Sequence, residues 1–291
     1  IKDVKIQNSP FWTINPQYCD NVTVDGITID NPPSPNTDGI NPESCSNVRI
    51  ANCHISVGDD CITIKSGKDR SGRLVNIPAE NYTITNCTML RGHGGVVIGS
   101  EMSGGVKNIV ISNCVFDGTD RGIRLKTARG RGGIVENIRV SNIVMRNIRD
   151  QAIVMDMQYA KTEVEPVTER TPQFKNIYIS DMTGSTNRVG LLRGLAEMPI
   201  ENVSFNNINM QAKAGFSLEN AQKITFNNVQ VDVASEPFIK AKNVALLEVR
   251  AIQNFTPLAD RPLLILEYVK GVNFQQNYPM AGTNVFLELV G

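Results

Sequence analysis

The sequence predicts an all-β fold, a single-domain right-handed parallel β-helix in which short strands wind into stacked coils. A phrase of the form Asn-Val-x-Ile-x-Asn-Cys-x-Ile recurs along the chain, mostly at intervals of roughly 25 to 39 residues, which is a repeat length of solenoid proteins. Apolar and polar residues alternate within each copy, as they do in half-buried strands. No window of the chain carries a sustained helical apolar face.

The copies of this phrase supply the strands of successive coils. They lie at 47–55, 81–89, 108–116, 137–145, from 176, 202–210 and 223–231, with a weaker copy from 243. Segments such as Val48-Arg49-Ile50 alternate with period two, and Gly, Asn and Asp follow at the turns. Leucine is sparse in the phrase, which argues against a leucine-rich repeat.

One polar position of the phrase holds nearly the same residue type in every copy. Like residues on stacked coils lie about 4.8 Å apart, so amides at this position can hydrogen-bond from coil to coil in a ladder. The preference of Asn for turns would place the same residues there without a ladder, but agreement in phase along the chain favours the ladder. Its members are Asn52, Asn86, Asn113, Asn142, Asp181, Asn207 and Asn228.

The repeat covers nearly the whole chain, so we expect one domain spanning 1–291, although a length of 291 residues alone would suggest two. The chain opens with Ile1 inside a structural element, and solenoids need capped ends. We therefore expect N-terminal coils or a further domain to be missing before this residue.

The composition excludes several classes of protein. Lys plus Arg and Asp plus Glu number 29 each, without a basic stripe, so nucleic acid is not an expected partner. No apolar run approaches the roughly 18 residues of a membrane helix. The six cysteines are too few for a disulfide scaffold, and Cys53, Cys87 and Cys114 recur as buried fillers of the phrase. With only two histidines a zinc site is not expected, and we expect a monomer without a cofactor.

The second half of each unit can be aligned on a small residue that precedes an apolar one. The small residues are Gly39, Cys61, Gly95, Gly122, Ala152, Gly190 and Gly215. The apolar residues after them are Ile40, Ile62, Val96, Ile123, Ile153, Leu191 and Phe216. This alignment stacks Asp38 on Asp60, and His93 on Asp59, about one strand spacing apart.

Arg124 and Lys126 alternate with Ile123 and Leu125, which places both cations on the outer face. Three carboxylates, one imidazole and two cations thus converge on one lateral patch. Like charges this close raise the pKa of at least one carboxyl group, and perturbed carboxyls in a groove are candidate catalytic groups. A calcium site or a solvated acidic turn is the alternative, but calcium prefers more oxygen ligands and the neighbouring cations disfavour it.

Two carboxyl groups of opposite protonation are what glycoside hydrolysis needs, one to protonate the leaving oxygen and one to activate water. A neighbouring Arg-Lys pair would bind the carboxylate of an acidic sugar. The residues alone therefore favour hydrolysis of an acidic polysaccharide.

The chain resembles the polygalacturonase family, glycoside hydrolase family 28, in four segments that occur in the family's order. They are Asn36-Thr37-Asp38, Gly58-Asp59-Asp60, Gly92-His93-Gly94 and Arg124-Leu125-Lys126. A lone Gly-Asp-Asp would be a weak signal, but four motifs on a β-helix repeat are a strong one. The resemblance implies inverting hydrolysis of α-1,4-linked galacturonic acid, the acidic sugar of pectin, without a metal.

The resemblance also implies a role for each residue of the patch. Asp59 would be the general acid, supported by a hydrogen bond from His93. Asp38 and Asp60 would together hold and activate the water. Inverting chemistry places acid and base roughly 6.5–9.5 Å apart, so we expect Asp59 to point away from its neighbour. Arg124 and Lys126 would bind the substrate carboxylate.

A substrate-binding tyrosine and two loops complete what the resemblance implies. Tyr159, in the following coil, fits the position of a tyrosine that the family uses. Residues 65–73 and 97–105 resemble bacterial exo-acting members, which cut from the non-reducing end. The long excursions are expected to close one end of the groove, and the first would add anion contacts. They are 66–79, with Lys68, Arg70 and Arg73, and 156–174.

Three other functions fit parts of the sequence. A hydrolase of rhamnogalacturonan would share the cations, which do not identify the sugar beside galacturonate. A pectate lyase would share the coil but use calcium and a basic residue. A non-catalytic β-helix would not need the intact acid, histidine and cation set. A pectic polysaccharide or oligogalacturonate substrate lies outside cells, so we expect a secreted or periplasmic protein.

Overall fold

The computed structural model describes all 291 residues as one stack of parallel coils. The first half contributes β1 Lys5–Gln7, β2 Thr23–Asp25, β3 Thr28–Asp30, β4 Ser46–Ala51, β5 His54–Ser56, β6 Ile62–Ile64, β7 Ala79–Thr85, β8 Thr88–Arg91 and β9 Val96–Gly99. The remainder contributes β10 Val106–Asp117, β11 Arg121–Lys126, β12 Ile134–Asp156, β13 Gln173–Arg193, β14 Ile200–Val233, β15 Ile239–Gln253, β16 Leu264–Glu267, β17 Lys270–Gln275 and β18 Leu287–Val290. Every strand pairing is parallel, and the predicted parallel β-helix is confirmed.

The later strands are long because they run through the corners of the coil without ending. Strand β12 turns at Asn137, Asn142 and Asn147, each of which has a positive φ of 53° to 57°. Asn adopts the left-handed region more readily than other residues with side chains. One such residue bends the chain at a corner while hydrogen bonding to the neighbouring coils continues on both sides.

The core fills the inside of the coil with stacked aliphatic side chains. Alternate residues of β10 are buried, and 71 buried residues form one apolar cluster along the stack. One of its rows passes through successive coils in register at Ile50, Ile84, Ile111, Val140 and Ile179. Burying each such side chain contributes about 1.5–3 kcal/mol. Cys53, Cys87 and Cys114 are buried free thiols in this core, as predicted.

The predicted asparagine ladder forms with two breaks, one between Asn86 and Asn113 and one between Asn142 and Asp181. Asn113 donates to the Thr85 hydroxyl at 3.4 Å instead of to Asn86. The other rungs are Asn86 to Asn52 at 3.4 Å, Asn142 to Asn113 at 2.7 Å, Asn207 to Asp181 at 3.0 Å and Asn228 to Asn207 at 2.9 Å. A second ladder, which was not predicted, joins Asn81 to Asn47, Asn108 to Asn81, Asn137 to Asn108 and Asn202 to Asn176.

The predicted alignment of the coils is wrong by one residue at Gly190. Gly190 pairs with Ile153 on one side and with Phe216 on the other, so Val189 takes the small-residue position. Two irregularities in the pairing of β12 with β13, near Ile148, shift the register. Gly190 is needed where it lies because a Cβ there would be 2.3 Å from the ring of Phe216.

One short helix, α1 Asp69–Val75, interrupts the β-structure after β6 and was not predicted. Its seven residues are followed by the C-cap residue Asn76, which has a left-handed φ of 52° and donates its N–H to the Gly72 carbonyl. So short a segment has no apolar face that the sequence could reveal. No helix of the structure is long and apolar enough to cross a membrane.

Candidate active site

The coil register assembles one column of residues on the outer wall. Bridges and strands pair Ile14 with Ile40, Ile40 with Ile62, Ile62 with Val96, and Val96 with Ile123. Two positions before these residues, the same column therefore holds Trp12, Asp38, Asp60, Gly94 and Arg121. The predicted stacking of two aspartates on neighbouring coils is present.

Three carboxylates meet in this wall. One oxygen from each of Asp38, Asp59 and Asp60 lies within 4.8 Å of the other two. Asp38 is 3% exposed and Asp60 is 1% exposed, whereas Asp59 is half-buried. Acids packed this closely cannot all ionise without cost unless cations lie among them.

Asp38 takes the largest perturbation of the three. Burial first, and then the charges of Asp59 and Asp60, raise the pKa of Asp38 to about 6. The Lys65 ammonium and a 3.1 Å hydrogen bond from the Thr63 hydroxyl act in the opposite direction. The expectation that at least one carboxyl would have a raised pKa is confirmed.

Asp60 is the member that the cations engage directly. Lys126 Nζ lies 2.7 Å from Asp60 Oδ2, and Arg124 Nη1 lies 3.6 Å from Oδ1. Two cations against one carboxylate leave one positive charge in excess. A Cβ at Gly94 would lie 2.4 Å from Val97 and 3.2 Å from Asp60 Oδ1, so a glycine keeps this space open.

The sequence led us to expect that Asp59 points away from Asp60. In the structure it does not. Its Oδ1 accepts the backbone N–H of Asp60 at 3.0 Å, which folds the side chain back toward the cluster. Its Oδ2 accepts the backbone N–H of Asn36 at 3.2 Å. His93 Nδ1 lies 3.2 Å from Asp59 Oδ1, and the histidine ring is half exposed.

We name the arginine side after Arg124, Lys126 and Tyr159. The Tyr159 ring centre lies 5.6 Å from Arg124 Cζ and 5.5 Å from Lys126 Nζ, within the range of cation–π attraction. The backbone N–H of Tyr159 donates to Thr127 at 3.0 Å, which anchors the start of the loop. All seven predicted site residues line one open cavity of about 460 Å³.

The end of the cavity nearer the N-terminal coils, which we name the tryptophan side, was missed by sequence reasoning. It consists of Trp12, Lys65 and Glu101. Lys65 Nζ lies 2.8 Å from Glu101 Oε2 and 4.7 Å from the centre of the Trp12 ring. Lys65 follows Ile64, which pairs with Ile98, and Lys126 pairs with Gly99, so the two lysines take the same strand position two coils apart. The predicted alignment would have found this end of the cavity if it had been extended back by one coil, to Trp12, and forward along the strand by five residues, from Asp60 to Lys65.

The basic residues of the first excursion do not reach the cavity. Arg73 donates to the carbonyls of Gly130 and Arg131, and so ties helix α1 to the next loop. Lys68 and Arg70 line a separate depression beside Glu43. None of these three cations lines the cavity that holds the acids, so the anion contacts expected of them stay a prediction for the surface outside it.

A cation would meet a mixed environment in this cluster. The three carboxylate oxygens could serve as ligands for a hard metal ion. The Lys126 ammonium already occupies the space beside Asp60, and the Lys65 charge acts on Asp38. Lysine side chains thus already neutralise part of the charge of these carboxylates, which disfavours the binding of a divalent ion.

The chain is thus a parallel β-helix protein with an acid cluster beside two cations in an open lateral cavity. The chain belongs to the glycosyl hydrolases family 28, whose family model matches residues 1–243.

Similar proteins carry polygalacturonase names. A probable polygalacturonase of Vitis vinifera is 35% identical over 74% of this chain and 44% of its own length. An endo-polygalacturonase of Pectobacterium carotovorum subsp. carotovorum is 34% identical over 75% of this chain and 51% of its own. The crystal structure of an exopolygalacturonase from Thermotoga maritima superposes with a TM-score of 0.69 at 30% identity, covering 88% of this chain and 52% of that one. The chain spans about half the length of these relatives.

Proposed function

We propose that this chain hydrolyses α-1,4-galacturonosidic linkages in polygalacturonate and pectin. The observation that carries the proposal is the placement of three carboxylates in unequal environments beside Arg124 and Lys126. The excess positive charge on the arginine side attracts a galacturonate carboxylate and sets the sugar against the acids. The names of the similar proteins support the same substrate.

In this mechanism Asp59 gives its proton to the glycosidic oxygen as the bond to the anomeric carbon breaks. It is the most exposed of the three acids, and His93 lies within hydrogen-bond distance of it. A water held between Asp38 and Asp60 attacks the anomeric carbon and loses its proton to this pair. The cluster thus gives one proton to the leaving group and gains one from the water. Transfer of the gained proton back to Asp59 readies the acids for a second turnover.

Asp38, whose pKa is raised to about 6, belongs to the pair that takes the proton from the attacking water. An ionised Asp38 accepts that proton, whereas a protonated one does not. Activity should therefore rise as pH rises through about 6. A pH profile of kcat/KM that stays flat from 5 to 8 would contradict this assignment.

We propose inversion at the anomeric carbon on the strength of the family resemblance. The acids lie closer than the roughly 6.5–9.5 Å usual for inverting enzymes, since their nearest oxygens are within 4.8 Å. Proton NMR of a fresh digest decides the matter. Inversion of an α-linkage gives the β-anomer of the new reducing end first, and early α-anomer would show retention.

We also propose exo action from the non-reducing end and a location outside the cytoplasm, as secreted or periplasmic protein. The segments 65–73 and 97–105 support exo action. The ties between α1 and the loop at Gly130 support a groove flanked by fixed loops. Similar proteins include both endo-acting and exo-acting enzymes.

The direct test is release of reducing ends from polygalacturonate, with and without a metal chelator. We expect activity that survives chelation and yields no ultraviolet absorbance from unsaturated sugars. Unsaturated products, or activity lost on chelation, would instead support a calcium-dependent lyase. Inactivity on both polygalacturonate and rhamnogalacturonan would support a non-catalytic protein.

A further inference from the structure

The two sides of the cavity differ in charge balance. On the arginine side two cations face the single carboxylate of Asp60. On the tryptophan side Lys65 and Glu101 pair one to one, with side chains 6% and 25% exposed. Asp38 lies beside this pair and adds negative charge whenever it is ionised.

Glu101 stays anionic under any working condition. Burial alone would raise the pKa of Glu101, but the charge and hydrogen bond of Lys65 and the charge of Arg131 hold it at about 2. Lys65 is therefore neutralised before any substrate arrives. A free sugar carboxylate would gain no net attraction on the tryptophan side, and an ionised Asp38 would repel it.

Trp12 gives this side an aromatic surface. It lies one coil before Asp38 in the same column, and its ring packs against Phe11, with centroids 5.2 Å apart, as well as against the Lys65 ammonium. These contacts fix the orientation of the indole before binding. An aromatic group beside a neutral ion pair can contact the apolar face and the hydroxyls of a sugar without requiring a charge.

We propose that the tryptophan side binds the sugar across the cleaved bond from the arginine side, and accepts a unit whose carboxyl group is esterified or absent. This inference rests on the proposed function, because it takes the acids between the two sides to be the cleavage site. The arginine side demands a free carboxylate, whereas the tryptophan side does not.

Glu101→Gln is the sharpest test, because it frees the Lys65 charge. We compare kcat/KM on polygalacturonate with kcat/KM on partly methyl-esterified pectin of similar length. The preference for the free acid should rise roughly threefold or more, the effect of one partly exposed charge. Glu201→Gln, in an ion pair with Lys223 outside the cavity, is the matched control and should keep the wild-type ratio.

Two further variants separate charge from shape. Lys65→Met/Glu101→Gln removes the pair without leaving a charge, and should keep the substrate ratio within about twofold of wild type. Trp12→Ala should lower kcat/KM about tenfold on both substrates, chiefly through KM, while Trp12→Phe retains most of it. Thermal unfolding verifies that each variant is folded.

Wild-type cleavage of esterified pectin, or of an oligosaccharide that alternates galacturonate with a neutral sugar, supports the inference. Cleavage of the free acid alone overturns it, as does an unchanged ratio in Glu101→Gln. Selective loss of free-acid cleavage in the double variant would show instead that Lys65 binds a carboxylate. A wild-type protein inactive on every substrate would refute the proposed function and not this assignment.

Discussion

The same strand position carries charge in the site coils and in the C-terminal coils, yet only the site coils form a candidate catalytic centre. From Lys126 onward this position holds, in register, Asp156, Arg193, Glu219, Lys242 and Glu267. The signs alternate, and partners such as Lys242 and Glu267 lie 2.6 Å apart with side chains 47% and 24% exposed. Such solvated pairs contribute about 0–1 kcal/mol each.

In the site coils Lys126 instead pairs with Asp60, which lies in a different column and on a different coil. Asp38 and Asp60 are almost fully buried, and two cations face Asp60 while no cation forms an ion pair with Asp38. A column of charged residues with alternating signs is thus an ordinary feature of the solvent-exposed face of stacked coils. In the site coils, burial together with an unequal count of charges distinguishes the candidate catalytic cluster from that column.

The largest effect that we predict is a loss of kcat on substitution in the site coils, with no loss on substitution in the C-terminal coils. Asp59→Asn removes the proposed proton donor and should lower kcat by about 10²- to 10⁴-fold, with the folded structure retained. Glu267→Gln, in the C-terminal coils, should leave kcat unchanged. Steady-state kinetics on polygalacturonate with circular dichroism checks both. Near-wild-type turnover in Asp59→Asn would remove this residue from the mechanism.

The second prediction compares two lysines in one column. Lys126→Met leaves the buried Asp60 without its 2.7 Å partner, so it should raise KM tenfold or more and lower the free energy of unfolding by about 3–5 kcal/mol. Lys242→Met breaks an exposed pair and should cost at most about 1 kcal/mol. Denaturant titration measures the difference. Equal losses in the two variants would contradict the contrast between buried and exposed pairs.

The third prediction uses the pH dependence of stability. The folded protein holds the Asp38 proton up to about pH 6, whereas an ordinary aspartate has a pKa of 3.8, so ionising Asp38 destabilises the fold above pH 6. Asp38→Asn should therefore increase the free energy of unfolding at pH 8 by up to about 3 kcal/mol. The gain should shrink as pH falls through 6 and vanish below about 4, and activity should be lost. A variant no more stable than wild type at pH 8 would refute the raised pKa.

The smallest effect concerns the ladder that both regions share. Asn142→Ala removes a 2.7 Å hydrogen bond and places a Cβ residue without a local hydrogen-bonding side chain at a φ of 55°. The loss should be about 1–2 kcal/mol. Asn142→Gly keeps the backbone conformation accessible and separates the two causes. Unchanged stability in both variants would show that the ladder contributes nothing.

Like residues in stacked coils explain why much of the fold and site was predictable from sequence. The recurring Asn phrase fixed the architecture, and one alignment on Gly39 and Cys61 brought the acids together. The register failed at Gly190 because two pairing irregularities near Ile148 depend on packing that the repeat does not encode.

The tryptophan side was missed for a related reason. Trp12 lies before the first full copy of the phrase, and Lys65 reaches Glu101 across a bend outside the repeat. The direction of Asp59 depends on a backbone hydrogen bond at a turn, which strand periodicity cannot reveal.

Timed chromatography of oligogalacturonates of defined length tests the central claim most directly, namely that the buried, unequally charged acid cluster cleaves between galacturonate units. We expect saturated galacturonate monomer to appear first from every oligomer, and to be absent with Asp59→Asn. Intact oligomers after prolonged incubation with the folded wild-type protein would contradict the account.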